Sequence, residues 1–243
     1  MFIRLSMQSL IDTIGNNPEK YFQIWKQIKT EEELFMCNIE FIKGRIYGTP
    51  SHDGPLNFDS VLLMNDLIEL HNYKFFSTEG QGPLLEYDKW CDETWKHVCT
   101  GKQCGKWYYS IEQKPYLNGF IETKHIEQLI EYIEKFNNNT TDKMFYVINT
   151  SDYTKTNFYS QHNVTRQKSY KEIKLKEESD WDYFTNIWAD QSYGDSMSLF
   201  DSNYSNIASL LENKYAYISV AMEKYGSNVS IEKILLHFLK LCI

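Results

Sequence analysis

His52-Asp53 places an imidazole beside a carboxylate, Glu79 and Gln81 flank Gly80, and Gln113 precedes Lys114-Pro115. A histidine acts as a general base when a carboxylate from elsewhere orients it. Adjacent residues do not easily orient each other, so His52-Asp53 is not a dyad on its own. Glu79 becomes an acid or base at neutral pH where burial raises its pKa. Gln81 and Gln113 each donate and accept hydrogen bonds. Gly80 and Gly82 allow close backbone approach to a ligand, although Gly-x-Gly alone is weak evidence for phosphate binding. His52, Asp53, Glu79, Gln81 and Gln113 are therefore candidate ligand-binding residues. They name no reaction and no catalytic residue.

The five lie in three turn-rich patches: Thr49 to Pro55, Ser77 to Pro83, and Gln113 to Phe120. Loops that end buried elements are where proteins place working side chains, and the same glycines and prolines also serve plain turns. No Gly-x-Ser-x-Gly elbow, P-loop, His-Glu-x-x-His or kinase signature occurs in the chain.

The elements that must hold these patches alternate between helix and strand. Asn17 before Pro18 starts a helix with proline in its first turn, where the missing N–H costs nothing. Thr30-Glu31-Glu32-Glu33 has the capping-box pattern and Gly44 is a terminator. Val61, Met64, Leu67 and Ile68 share a face in a helix expected from about 58 to 70, capped by Asn57. Residues 73–78 read as an aromatic strand stopped at Gly80, and 115–121 as another. A helix capped by Thr123 follows, with Ile126, Leu129, Ile130 and Ile133 inward, then a strand at 144–148. Residues 84–112 read as an irregular insertion or hairpin. Residues 150–195 read as edge strands and a short helix around Trp181 to Trp188. Asp195 to Ser209 is Ser/Asn-rich and reads as mobile. A last strand at 214–220 precedes a C-terminal helix capped by Ser230.

This order predicts an α/β fold: a layered sheet with flanking helices, a helical N-terminal region and a C-terminal helix. Residues 1–45 are expected to pack into the same unit as a single domain over 46–243, with the irregular insertion at about 84–112. The strand–helix–strand run over 115–148 forms a right-handed crossover if its strands are parallel. Sheet polarity also decides which patches meet. Gln81 and Gln113 share a sheet end only if their strands are antiparallel. Ligand binding outside strand carboxyl ends favours Glu79 and Gln81 over Lys114.

A formal charge of −8 opposes non-specific binding to nucleic acid. The basic run from Arg166 to Lys176 is diluted by glutamates and reads as a solvated face. The 18 Tyr and 14 Phe match the composition of an AT-rich genome. No secretory leader and no apolar run of about 20 residues is apparent, so a soluble, intracellular protein is expected, away from membranes. Five cysteines are present. Cys37 and Cys242 read as small buried hydrophobes. Cys91, His97, Cys99 and Cys104 have the chemistry for zinc but lack a Cys-x-x-Cys pair, so reduced thiols are expected, with no metal and no cofactor.

Thr49-Pro50-Ser51-His52-Asp53-Gly54-Pro55-Leu56, Phe75-Phe76-Ser77-Thr78-Glu79-Gly80-Gln81-Gly82 and Gln113-Lys114-Pro115-Tyr116-Leu117-Asn118-Gly119-Phe120 resemble an uncharacterised protein family of giant, mimivirus-like DNA viruses. They are more loosely similar to bacterial domains of unknown function with an aromatic-Thr-x-x-Gln-Pro-Gly loop and a following Gln-Arg…Gly segment. Here Gln81-Gly82-Pro83 stands for the loop and Lys114 takes the Arg place. The likeness covers residues 45 to 125 and brings no activity with it. It implies a viral protein in the host cytoplasm or the virion. Two functions fit the residues: binding or acting on a small polar ligand, and host or virion interaction through a protein partner.

Overall fold

The computed structural model describes residues 6–56, 58–81, 84–91, 107–157, 162–171, 182–187, 197, 200, 202–224 and 227–242. Three helices open the chain: α1 (Met7–Ile14), α2 (Phe22–Gln27) and α3 (Glu31–Ile42). Asn17 Oδ1 accepts the Glu19 N–H at 2.9 Å and organises the turn into α2. At α3 the capping box takes a shifted form. Thr30 Oγ1 accepts the Glu33 N–H at 3.2 Å, and the Glu33 carboxylate accepts the Lys29 N–H at 2.7 Å. Gly44 ends α3 at φ +74°, with Gly44 N–H on Phe41 O and Arg45 N–H on Glu40 O, both at 2.8 Å. That is the Schellman arrangement, which needs the left-handed conformation glycine adopts freely.

The single helix expected over 58–70 is split into α4 (Phe58–Val61) and α5 (Met64–Asn72). Tyr73 and Lys74 then close α5 instead of starting a strand. Strand β1 (Phe76–Gln81) runs through Gly80, because pairing with β4 (Tyr116–Glu122) supplies the ladder that glycine's weak propensity does not. β2 (Leu84–Cys91) and β3 (Trp107–Gln113) form a hairpin across the region read as insertion or hairpin.

Beyond β4 come a 3-10 turn, α6 (Ile126–Asn138), β5 (Met144–Asn149), β6 (Thr154–Thr156), β7 (His162–Lys171) and β8 (Asp182–Ile187). Thr123 does not cap α6: its hydroxyl donates to Lys214 O at 3.1 Å, and no side chain caps the helix. The backbone at 182–187 is strand, not helix, because it pairs with β7. α7 (Ser205–Leu211) lies inside the Ser/Asn-rich stretch expected to be mobile. Asn206 Nδ2 donates to both Trp25 O and Ile28 O at 2.9 Å, so the segment closes the end of α2. β9 (Tyr215–Met222) and α8 (Ile231–Leu241) finish the chain, and Ser230 Oγ accepts the Lys233 N–H at the start of α8.

The strands form a five-stranded sheet, β1-β4-β9-β5-β6, and a four-stranded sheet, β2-β3-β7-β8. Every ladder among the described residues is antiparallel. β4 and β5 each run antiparallel to β9, so they are parallel to one another but not adjacent. The β4-α6-β5 crossover is thus a split unit with the distant β9 inserted between its strands. Every residue of β9 is buried, so both faces of the sheet are covered. The fold is mixed α/β with flanking helices: α6 packs on β5, and α8 on β4 and β9. α3 sets Phe35 against Phe76 and Tyr215, ring centroids 6.1 and 6.3 Å apart. One apolar cluster runs from Leu10 to Leu239, joining the N-terminal helices to the sheet. Among the described residues no helix is long and apolar enough to cross a membrane.

Candidate functional site

His52 and Asp53 belong to a tight turn closed by the Thr49–His52 bridge. His52 Nε2 lies 3.0 Å from Pro55 O, and its ring packs edge-on against Phe41. Asp53 Oδ1 accepts the Tyr21 hydroxyl at 3.2 Å. Burial and that bond push the Tyr21 pKa up to about 12. Both residues are thus engaged in holding the turn to the N-terminal helices.

Glu79, Gln81 and Gln113 fall differently. The β1–β4 ladder is antiparallel and sets Gln81 opposite Tyr116, three residues after Gln113. Gln113 itself ends β3, in the four-stranded sheet, so the two glutamines belong to different sheets; their Cα atoms are still no more than about 16 Å apart by chain reach. Lys114 follows Gln113 and is buried.

The register across all five strands defines what surrounds these positions. One row reads Phe76, Phe120, Tyr217, Asn149, Thr154. The next reads Glu79, Asn118, Ser219, Val147, Thr156, and a third Gln81, Tyr116, Ala221, Phe145. Rows two residues apart share a face. A polar diagonal therefore crosses the sheet through Asn118, Ser219, Asn149 and Thr154. On one side lie Phe76, Phe120 and Tyr217, in the main core. On the other, Tyr116, Val147 and Ala221, with Phe145, form a separate small apolar cluster.

Asn149 is wholly buried on this diagonal. Its Oδ1 accepts the Thr154 hydroxyl at 2.6 Å, while its Nδ2 finds no hydrogen-bond partner among the described residues. A buried donor left open costs about 1–3 kcal/mol, so a group able to accept from it is called for. Periodicity read Asn149 only as the residue following a strand. Its place beside Ser219 depends on strand order.

A second polar centre was also missed in the sequence. His71 on α5 is buried, and its Nδ1 lies 2.7 Å from Leu67 O. Its Nε2 lies 2.6 Å from Asn38 Nδ2 and 3.3 Å from Ser77 N. The neutral ring donates from Nδ1 and accepts at Nε2. Asn38 Nδ2 also reaches Ser77 O at 3.0 Å. Asn38 and His71 together satisfy the outward N–H and C=O of Ser77, standing in for a neighbouring strand at the edge of β1. Burial lowers the His71 pKa to about 4, the Leu67 bond opposing. This cluster is architecture.

At the opposite end of β4 lies a cleft of about 460 Å³. Glu122 forms its floor, with Lys124 at 2.8 Å, His125 at 3.5 Å and Lys74 at 4.0 Å. Burial alone would raise the Glu122 pKa, but the surrounding cations outweigh it and hold the carboxyl below its ordinary value. A hollow of about 580 Å³ beside α1 offers less, because its cation Arg45 is paired with buried Glu40.

Cys37 is fully buried and burial pushes its thiol up to about 12, an inert state. Cys242 is only half-buried, and it lines the Glu122 cleft with Sγ 3.6 Å from Gln128 Oε1. His97, Cys99 and Cys104 lie outside the described residues. Among the described residues no group of three or more His, Cys, Asp and Glu is placed to hold a metal. No known protein family matches the chain, and no curated protein matches it.

Proposed function

We propose that the chain binds a small, uncharged polar ligand over the polar diagonal, with Glu79 and Gln81 contributing from β1. The observation that carries this reading is the open Nδ2 of buried Asn149, one row from Ser219 on the same sheet face. A ligand carbonyl or hydroxyl accepts from Asn149, and the Ser219 hydroxyl donates or accepts alongside it. The flanking rings of Tyr116, Phe120 and Tyr217 suit the apolar faces of a sugar or nucleoside. Catalysis is no part of the proposal. The likeness of residues 45 to 125 to giant-virus proteins adds the proposal that the ligand is met in the host cytoplasm or the virion.

The rival reading, a protein-interaction surface, draws less support. Large exposed apolar side chains among the described residues are Val61, Leu62, Tyr153 and Leu241, and only the first two are adjacent. Contiguous patches of a few hundred Å² mark such surfaces.

Thermal shift against sugars, nucleosides and amino acids tests the proposal. A ligand at a hundred times its Kd stabilises the fold by about 2.7 kcal/mol. Ser219→Ala and Gln81→Ala should fold normally and lose most of that shift. A stability loss above about 2 kcal/mol in Gln81→Ala, with ligand affinity unchanged, assigns Gln81 to structure instead. The absence of any shift in wild type across the three classes refutes the reading.

A further inference from the structure

We propose that the cleft between the ends of α5, β4 and α8 and the start of α6 binds a small oxyanion, held by Lys74 and Lys124. The cleft's volume of about 460 Å³ suits a small metabolite. Its walls include Tyr73, Gln128, Leu239 and Cys242. The charge lining it is unbalanced. Two lysines and His125 surround one carboxylate, so the cleft is net positive in a chain of net charge −8. An anion is drawn here by local geometry, against the field of the whole protein.

The pairings leave room for a ligand. Lys124 is committed to Glu122 at 2.8 Å. Lys74 stands 4.0 Å from the same carboxylate, too far for a hydrogen bond, and its side chain is more than half exposed. An oxyanion between the two ammonium groups takes charge-assisted hydrogen bonds from both. Two neighbouring lysines are paired elsewhere. Lys214 pairs with Glu31, which also accepts the Tyr215 hydroxyl at 3.0 Å. Lys240 pairs with Glu69 at 2.6 Å. Glu32, exposed at the start of α3, also interacts electrostatically with Lys74.

Lys74 has φ +60°, the left-handed region where a side chain is strained. The position follows the end of α5, a place where glycine is usual. Lys74 N–H on His71 O at 3.0 Å and Phe75 N–H on Leu70 O at 3.1 Å complete a Schellman arrangement, so the end of α5 sets this φ and fixes where the lysine leaves the helix. The site is also separate from the polar diagonal, because Glu122 ends β4 at the edge opposite Tyr116 and Gln81.

Inorganic phosphate and acetate are titrated in parallel at constant ionic strength, with chloride as the control, following the amide resonances of Lys74 and His125. Saturable shifts with either anion, absent with chloride, are expected. The preferred anion assigns a phosphate- or a carboxylate-bearing ligand. Lys74→Gly and Lys124→Ala should each weaken binding about tenfold, as loss of one charge-assisted contact implies. Lys74→Gly should melt at or above the wild-type temperature, because glycine relieves the strain, so its lost binding does not come from unfolding. Shifts no larger than chloride's with both anions, or wild-type affinity in Lys74→Gly, overturn the proposal.

Discussion

Replacing His71 with glutamine should change how stability depends on pH. The folded pKa of His71 is lowered to about 4 by burial, whereas an unfolded histidine titrates near its ordinary value of 6.5. As pH falls below 6.5 the unfolded chain takes up a proton that the folded chain refuses. The stability contributed by the neutral ring is therefore complete above 6.5 and is lost as pH falls toward 4. With about 1.36 kcal/mol per pKa unit, wild type should lose about 3 kcal/mol between pH 7 and pH 4 relative to His71→Gln. Wild type alone hides this, because Glu232 acts in the opposite sense. Burial at the first turn of α8 raises Glu232 to about 7, with Asp66 of α5 adding to the shift and Ser230 and Lys233 opposing it. Its contribution is complete below about 4.5 and is lost as pH rises through 7, so the two slopes nearly cancel in between. Urea melts of wild type, His71→Gln and Glu232→Gln at intervals from pH 4 to 7 separate them. The wild-type-minus-variant differences should run in opposite directions. A His71→Gln difference constant within about 0.5 kcal/mol, the scatter expected of a neutral surface change, would falsify the assignment of a neutral core histidine.

Gly119→Ala places a Cβ 2.5 Å from Phe76 O and 2.7 Å from the Phe75 ring. It should cost about 1–3 kcal/mol or more in denaturant melts, as overpacking does, and a neutral result would mean that β1 and β4 are not this close. Asn206→Ala removes two bonds that close α2, on Trp25 O and Ile28 O. A loss of about 1–3 kcal/mol is expected, with faster amide exchange in α7, and unchanged exchange there would refute the anchoring role.

The helices were legible where their signals are local. Thr30, Gly44 and Ser230 each act on backbone groups a few residues away, so their caps and stop can be read along the chain. The apolar spacing of Ile126, Leu129, Ile130 and Ile133 likewise fixes one face of α6 whatever it meets. Local signals misled where long-range pairing outweighed them. Gly80 did not stop β1, and Ser/Asn-rich α7 is tied down by a carbonyl pair about 180 residues earlier in the chain. The polar diagonal shows the limit most clearly. Asn118, Ser219 and Asn149 look like unrelated polar residues in three strands. They become one feature only because β9 inserts between β4 and β5. His71 likewise reads as an ordinary polar helix position until the edge of β1 arrives beside it. Chain order sets which backbone groups and side chains can reach each other locally. Which distant strand lies next to which is decided by burial of both sheet faces at once, and that is a property of the whole packed molecule.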